Sequence, residues 1–254
     1  MLKGLYAAAS AMLANLDQQG ILSHNLANID TPGFRQVLGQ LQPFETTTAV
    51  SNPAYEPSQQ SQVLGALGLG VETNDTLTDF SQGSLQSTGQ PLDVGIEGDG
   101  FFRVQTPAGE RYTRDGRFQQ DANGQLVTVD GFHVLDANGN PLTLPQGTVG
   151  IDLQGQISVD GKAAGQLGLA TFADPNTGLV RDSQSGNTFQ AVTAPGTGAP
   201  GTVQQGYVEM ANTDESQLMT QMVTVGQAYA AAQRMVQVQD NLLGQSISQL
   251  GSLT

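Results

Sequence analysis

Both ends of this 254-residue chain carry long helical patterns almost free of charge. From Leu2 to Asn28 the charged residues are Lys3 and Asp17, and from Ser216 to Thr254 they are Arg234 and Asp240. A helix lying on a globular domain normally turns a charged face to water. Here the remaining faces carry Ala, Ser, Gln, Asn and Gly, small or uncharged groups suited to packing on several sides at once. These are helices composed to be surrounded, and that constrains the chain more than anything between its ends.

The period agrees. Leu2, Leu5, Ala9, Met12, Leu16, Gln19, Ser23 and Leu26 fall at alternating steps of three and four. Leu218, Met222, Val225, Tyr229, Ala232, Val236, Gln239 and Leu243 do the same, and Ile247 and Leu250 carry the stripe on. A repeat of about 3.5 residues is that of coiled coils. Gln19, Ser23 and Gln239 make each seam weak for an isolated dimer. At 1.5 Å per residue each segment spans about 40 Å. Two ordinary core helices of one globular domain would show the same period; the missing charges favour packing in a polymer.

Bulk properties exclude several classes. Net charge is −14 with 9 basic residues, so nucleic acid and anionic membranes, which need a basic patch, are poor partners. Most of the acidic residues lie between Glu72 and Asp182, where they read as the solubilising charge of an exposed domain. Zero cysteines rule out disulfides, thiolate metal sites and a cysteine nucleophile. No apolar run is long enough to insert in a membrane. The opening Met1-Leu2-Lys3 followed by an Ala-rich stretch lacks a strong apolar segment and runs on as a heptad through Asp17, so it reads as mature structure.

Four segments follow along the chain. A helix in 1–35 must stop near Asn28, because Thr31-Pro32-Gly33 forbids its continuation. An arm over 36–70, rich in Gln, Thr, Ser and Gly and punctuated by Pro43, Pro53 and Pro57, is predicted to be extended. From Val71 the period becomes two: Leu92, Val94 and Ile96 alternate with Asp93, Gly95 and Glu97. Asp115-Gly116, Asn123-Gly124, Asp130-Gly131, Asn138-Gly139 and Asp160-Gly161 then read as tight turns between short runs such as Leu126–Val129 and Ile157–Val159. A mainly antiparallel β domain over 71–205 results, with an irregular return path from Asp182 to Gln205. The last segment, 206–254, holds a helix that Asn212 or Thr213 can cap, with Asp214 and Glu215 at its positive end. The expected fold class is α+β: terminal helices forming a coiled-coil stem, with the β domain between them in sequence.

Chemistry finds little foothold. His24 and His133 lie in different regions, the first suited to packing or a polar contact and the second to a solvent-facing strand position. No spacing suggests a metal site, a phosphate loop or a nucleophile elbow. Glu97 and Asp99 flank Gly98 in what reads as a turn. Asp121-Ala122-Asn123-Gly124 and Asp136-Ala137-Asn138-Gly139-Asn140 resemble calcium loops at first sight, but Gly comes too early and the bidentate Glu is missing; turns explain them. Arg111, Arg114 and Arg117, the one basic concentration, are expected to pair internally or with a neighbouring subunit. We expect no catalytic residue, cofactor or metal.

Several blocks carry a resemblance. Asn25-Leu26-Ala27-Asn28-Ile29-Asp30-Thr31-Pro32-Gly33-Phe34 closes the first helix. Phe80-Ser81-Gln82-Gly83-Ser84-Leu85, Gly100-Phe101-Phe102-Arg103-Val104, Tyr112-Thr113-Arg114-Asp115-Gly116 and Gly206-Tyr207-Val208-Glu209-Met210-Ala211-Asn212 follow in order. Together they resemble the bacterial flagellar rod, hook and hook-basal-body family, the axial proteins of the flagellum, over the whole chain. The resemblance implies a homo-oligomeric helical polymer whose terminal helices pack into the inner wall of a tube. It implies export through the flagellar type III apparatus without a cleaved signal, rod and hook proteins as neighbours, and a place in the basal body outside the cytoplasm. Modest length and one β domain look like a rod subunit, of the distal type or its proximal relative, rather than a hook subunit. The expected assembly residues are Leu5, Met12, Leu16, Leu26, Leu218, Met222, Val225, Tyr229, Val236 and Leu243. Asn25, Ala27, Asn28, Thr31, Pro32, Gly33 and Phe34 form the helix-end motif. The alternative is a soluble β-domain binding or cap module that dimerises through its terminal helices.

Overall fold

The computed structural model describes residues 2–43, 47–50, 63–67, 70–182, 187–196, 198 and 200–251. Parts of the expected arm, Pro53 and Pro57 among them, and parts of the return path near 183–186 lie outside the described residues. The chain is α+β, as its pattern predicts: a first helix, antiparallel strands, a last helix. It divides into two compact units. One comprises Met1–His24, Val37–Leu77 and Glu215–Thr254, the other Asn25–Gln36 and Thr78–Asp214.

The first unit is built on helix α1 (Leu2–Ala27) and the last helix. α1 turns small residues inward: Ala8 and Ala14 are buried with Leu22, whereas Tyr6 and Leu13 are 69% and 65% exposed. Gly4, near the start of α1, lies so close to the side chain of Gln239, late in the last helix, that a Cβ there would collide with the Gln239 amide. The strands Val37–Pro43 and Val71–Thr78 pair with each other, and Val71 N–H donates to Ser10 Oγ at 3.3 Å.

In the second unit an antiparallel sheet runs in the spatial order Leu179–Arg181, Phe189–Ala191, Gly109–Thr113, Phe101–Thr106, His133–Val134, Leu126–Thr128, Phe118–Gln120. Leu169–Ala170 also pairs with the Phe101–Thr106 strand. Strand side chains alternate between faces, and here both faces are covered. Phe102 and Val104 enter a core with Val94, Ile96, Phe118, Leu126, Val134 and Ile157. Phe101 faces a second, aromatic cluster with Tyr112, Phe172 and Phe189. Its rings meet edge to face, Phe101 and Phe172 at 6.0 Å and Tyr112 and Phe172 at 5.1 Å. A one-turn helix, α2 (Pro175–Gly178), follows the Asp174 cap.

The turns follow their chemistry with one exception. Between the strands Gln156–Val159 and Lys162–Gln166, Asp160 and Gly161 both take positive φ, 51° and 77°, as a two-residue hairpin of matching twist requires. Three further loops share one hydrogen-bond plan. Asp121 Oδ1 accepts from the N–H groups of Asn123 (2.8 Å) and Gln125 (2.7 Å), and Gly124 N–H donates to Asp121 O. Asp136 does the same for Asn138 and Asn140, and Asp152 for Gln154 and Gln156. Asp115-Gly116 is different. Gly116 does not have a positive φ; it is tight because the Val94 carbonyl stands where a Cβ would go, and Val94 N–H donates to Gly116 O at 2.9 Å. A close pass between two segments, not a hairpin, selects that glycine.

Helix α3 (Glu215–Gly251) follows immediately after Asp214. Asn212 does not cap it, because its side chain is committed elsewhere: Oδ1 accepts from Gln36 N–H (2.8 Å) and Nδ2 donates to the carbonyls of Asp79 (2.8 Å) and Ser81 (3.1 Å). The Thr213 hydroxyl caps nothing either, being buried without a hydrogen-bond partner. Among the described residues no helix is long and apolar enough to cross a membrane.

Candidate functional site

The residues that carry the sequence blocks meet inside the second unit. After Ala27 the chain winds down through single turns: Asn28 N–H donates to Asn25 O, Ile29 to Leu26 O and Thr31 to Asn28 O. Pro32 sits within one last turn, closed by Phe34 N–H donating to Thr31 O at 3.2 Å. Gly33, at φ 71°, then passes so close to the Arg114 and Asp115 backbone that a Cβ would collide with it. Its N–H donates to Glu209 O at 2.7 Å, which joins the first block to the last. Pro32 O accepts from Asn187 Nδ2 at 2.7 Å.

The next two residues anchor the segment. Phe34 is buried, and the Arg181 guanidinium lies 4.9 Å from its ring centre and 5.2 Å from that of Phe189, a cation held between two π faces. Arg181 Nη2 also donates to Arg35 O at 2.6 Å. Burial pushes the Arg181 pKa down. Arg35 itself is fully enclosed. One of its terminal nitrogens donates to Ser81 O at 2.8 Å, and the other lies 2.7 Å from Glu209 Oε1.

Glu209 is the common partner. Its side chain is 0% exposed; Oε1 also accepts from Gly83 N–H at 2.8 Å, and Oε2 accepts from Arg114 Nη1 at 3.0 Å. Arg114 reaches on to Gly98 O at 2.7 Å and stands over the Phe101 ring at 5.1 Å. Burial pushes the Arg114 guanidinium down in pKa, and the Glu209 charge opposes that shift. One carboxylate therefore holds Arg35 just past the first block, Gly83 from the second and Arg114 from the fourth. A buried carboxylate with two hydrogen-bond donors and a second arginine in ion-pair contact is well compensated, whereas either arginine without it would be a stranded charge.

Sequence reasoning named the motif but missed its centre. Arg35 sits one residue past the helix-end motif, and Glu209 and Arg114 were read inside separate blocks. No local pattern marks them: Arg35 and Arg114 lie outside strands, and Glu209 follows the buried Val208, where alternation would point it outward. Of the motif residues, Asn25, Pro32, Gly33 and Phe34 are buried, Asn28 and Thr31 half-buried and Ala27 exposed. Thr31 Oγ1 donates to Asn28 Oδ1 at 3.3 Å. The other clustered arginines pair inside the unit, Arg111 with Asp182 at 2.9 Å and Arg117 with Asp115 at 2.7 Å.

The expected assembly residues divide. On α3, Leu218 and Val225 are buried, and Met222, Tyr229, Val236 and Leu243 are half-buried along one face. On α1, Leu5, Met12 and Leu26 are half-buried, while Leu16 is 46% exposed and shares its face with Tyr6 and Leu13. The α3 face opposite its inner stripe exposes Met219, Val223, Met235, Val238 and Leu242.

No reactive constellation accompanies these features. His24 is exposed in the last turn of α1; His133 is half-buried in its strand rather than solvent-facing. Among the described residues no group of three or more His, Cys, Asp or Glu could hold a metal ion. A cavity of about 560 Å³ lies along Gln90, Leu92, Asp93, Arg117 and Phe118, where Arg117 is already bound to Asp115.

Known proteins match along the whole length. Residues 5–35 match the flagella basal body rod protein family, 95–162 the D1 domain of the flagellar hook protein FlgE/F/G family, and 204–250 the C-terminal region of the flagellar basal body rod FlgEFG proteins. The flagellar basal-body rod protein FlgG of Bacillus subtilis is 31% identical over 261 residues, covering 98% of this chain and 99% of the relative. This chain belongs to the flagellar basal-body rod protein family. FlgG of Buchnera aphidicola subsp. Acyrthosiphon pisum is 34% identical over 268 residues, and the rod protein FlgF of Mesorhizobium japonicum 30% identical over 255. Each spans at least 98% of both sequences. In this rod-family chain the matched stretches include the helix-end motif, Arg35, Arg114 and Glu209.

Proposed function

We propose that this chain is a structural subunit of the bacterial flagellar basal-body rod. It polymerises through its terminal helices into the tubular drive shaft that joins motor to hook. End-to-end similarity to relatives bearing the rod-protein name carries the reading. The helices supply its physical sense. Outward-facing Tyr6, Leu13 and Leu16 on α1 and Val223 and Met235 on α3 leave apolar surface with Asp17 and Arg234 as its charged neighbours among the described residues, the kind of surface that marks a contact with other molecules.

In this reading segments 1–35 and 206–254 form the axial core, 36–70 is the arm and 71–205 the β domain. Leu5, Met12, Leu16, Leu26, Leu218, Met222, Val225, Tyr229, Val236 and Leu243 carry the packing of helices within and between copies. The partners are further copies of the chain, adjacent rod and hook proteins, and the flagellar type III export apparatus that delivers the subunit. It works in the basal body, outside the cytoplasm, as a mechanical part with no catalytic role.

The test compares Leu16→Asp and Met222→Asp with the unsubstituted chain in a motile host. Each should block rod assembly and motility while the β unit keeps its denaturation midpoint. Leu16 is exposed in the single chain, so its loss acts on neighbours rather than on folding. Normal rods containing Leu16→Asp would sink the helical-assembly reading.

A further inference from the structure

Asn123-Gly124 and Asn138-Gly139 are the two Asn-Gly pairs of the sequence, and both occupy the same position in the Asp-anchored loops. Asn followed by Gly is the pair most open to deamidation in a mobile chain, because no side chain obstructs the following nitrogen. The backbone nitrogen of Gly attacks the Asn side-chain carbonyl carbon and a C–N bond forms. The nitrogen gives up its proton and ammonia leaves, producing a cyclic imide. Water then opens the ring at either carbonyl, giving aspartate or isoaspartate.

The folded loops oppose each requirement of that step. The attacking N–H groups are occupied: Gly124 N–H donates to Asp121 O at 3.0 Å and Gly139 N–H to Asp136 O at 3.1 Å. The side-chain amides are turned away toward the anchoring carboxylates, Asn123 Nδ2 lying 3.4 Å from Asp121 Oδ2 and Asn138 Nδ2 3.5 Å from Asp136 Oδ2. The Asn N–H groups themselves are fixed by the Oδ1 atoms at 2.8 Å. Both glycines sit at positive φ, 81° and 87°, in turns closed on both sides by backbone hydrogen bonds. Yet both asparagines are exposed to water, so access does not protect them. The third loop of this plan has Gln154 before Gly155, whose longer side chain closes a less favourable ring.

We infer that Asn123 and Asn138 are conditional modification sites: held as amides by the folded Asp-anchored loops and converted to aspartate or isoaspartate when those loops are open. The product is not neutral to the fold. A carboxylate at either position would face the anchoring aspartate where an amide now donates, and isoaspartate lengthens the backbone inside a turn whose register is closed from Asp121 to Gln125 and from Asp136 to Asn140. Modification in the open state therefore hinders return to the closed one, so the two loops record time spent unfolded.

The experiment incubates the full chain at neutral pH with and without guanidinium chloride and follows both sites by peptide mapping with mass detection. Conversion should be slower in the folded chain by at least about tenfold, equivalent to ~1.4 kcal/mol of local opening. Equal rates in the two conditions overturn the inference. Asp136→Ala gives a second reading: conversion of Asn138 in the folded chain should speed up while Asn123, in its intact loop, stays protected as an internal control of folding. An unchanged Asn138 rate with Asn123 still protected also overturns it. If Asp136→Ala unfolds the chain, both sites convert at the denatured rate, which itself agrees with the inference.

Discussion

Glu209 and Arg35 lie 2.7 Å apart with both side chains completely enclosed, although 174 positions separate them in the chain numbering. Removing one partner of such a pair strands the other charge where water cannot reach it. Glu209→Ala should therefore lower the unfolding free energy by about 3–5 kcal/mol. Glu110→Ala, which breaks the partly exposed Arg103–Glu110 pair, should cost about 0–1 kcal/mol. Urea denaturation of both variants makes the comparison; equal losses would contradict the buried hub.

Gly33 and Gly20 predict opposite signs. Gly33 combines φ 71° with a backbone passing through the space a Cβ needs, so Gly33→Ala should destabilise by more than about 1 kcal/mol. Gly20 lies in the middle of α1 with nothing near its missing side chain. Gly20→Ala should stabilise the helix by about 0.5–1 kcal/mol. Thermal melts of the two variants distinguish a conformational glycine from a merely small one.

Asn212 bonds Gln36 N–H and the carbonyls of Asp79 and Ser81. Asn212→Ala removes the partner of Gln36 N–H and of Asp79 O, while Ser81 O keeps Arg35, and should cost about 1–3 kcal/mol. Hydrogen exchange should show the loss as weakened protection at Gln36 N–H. Unchanged protection there would mean that the amide is not the anchor.

The Glu110 carboxyl is held below its usual value near 4.5 first by the hydrogen bond from Arg103, with Tyr112 adding a second. A carboxyl depressed in the folded state stabilises the protein above the unfolded pKa and loses that contribution as pH falls through the folded pKa. Stability should thus decline on acidification below about pH 4.5, and Glu110→Gln should flatten this part of the profile. The same contact, with burial acting first, pushes the Tyr112 hydroxyl up to about 12. Denaturation midpoints measured across the acid range decide the point; a limb as steep in the variant would assign it to other carboxyls.

Local rules made much of the architecture legible. The 3.5-residue stripe on α3 could be read because one face of a helix repeats at a fixed spacing, and Leu218, Met222, Val225, Tyr229, Val236 and Leu243 are all less exposed than Met219, Val223, Met235 and Val238. Asp160-Gly161 announced its hairpin because positive φ at consecutive positions is a property of those two residues alone. The α1 stripe was harder: its inner face takes Ala8 and Ala14 and leaves Leu13 and Leu16 outside, so size did not mark the covered side.

Local residue choice settles that two charge-poor helices flank an antiparallel β region, where the first helix stops, and that pairs such as Asp160-Gly161 turn the chain, because each depends on neighbours within a few residues. Contacts between distant segments are what make Gly116 serve a close pass beside Val94, tie Asn212 to Gln36 instead of the α3 cap, and gather Arg35, Arg114 and Glu209 into one buried cluster. Those roles depend on which distant segments share a dry space. An ion pair is tolerated in such a space only when every charge meets its partner, and linear spacing holds no record of who that partner is.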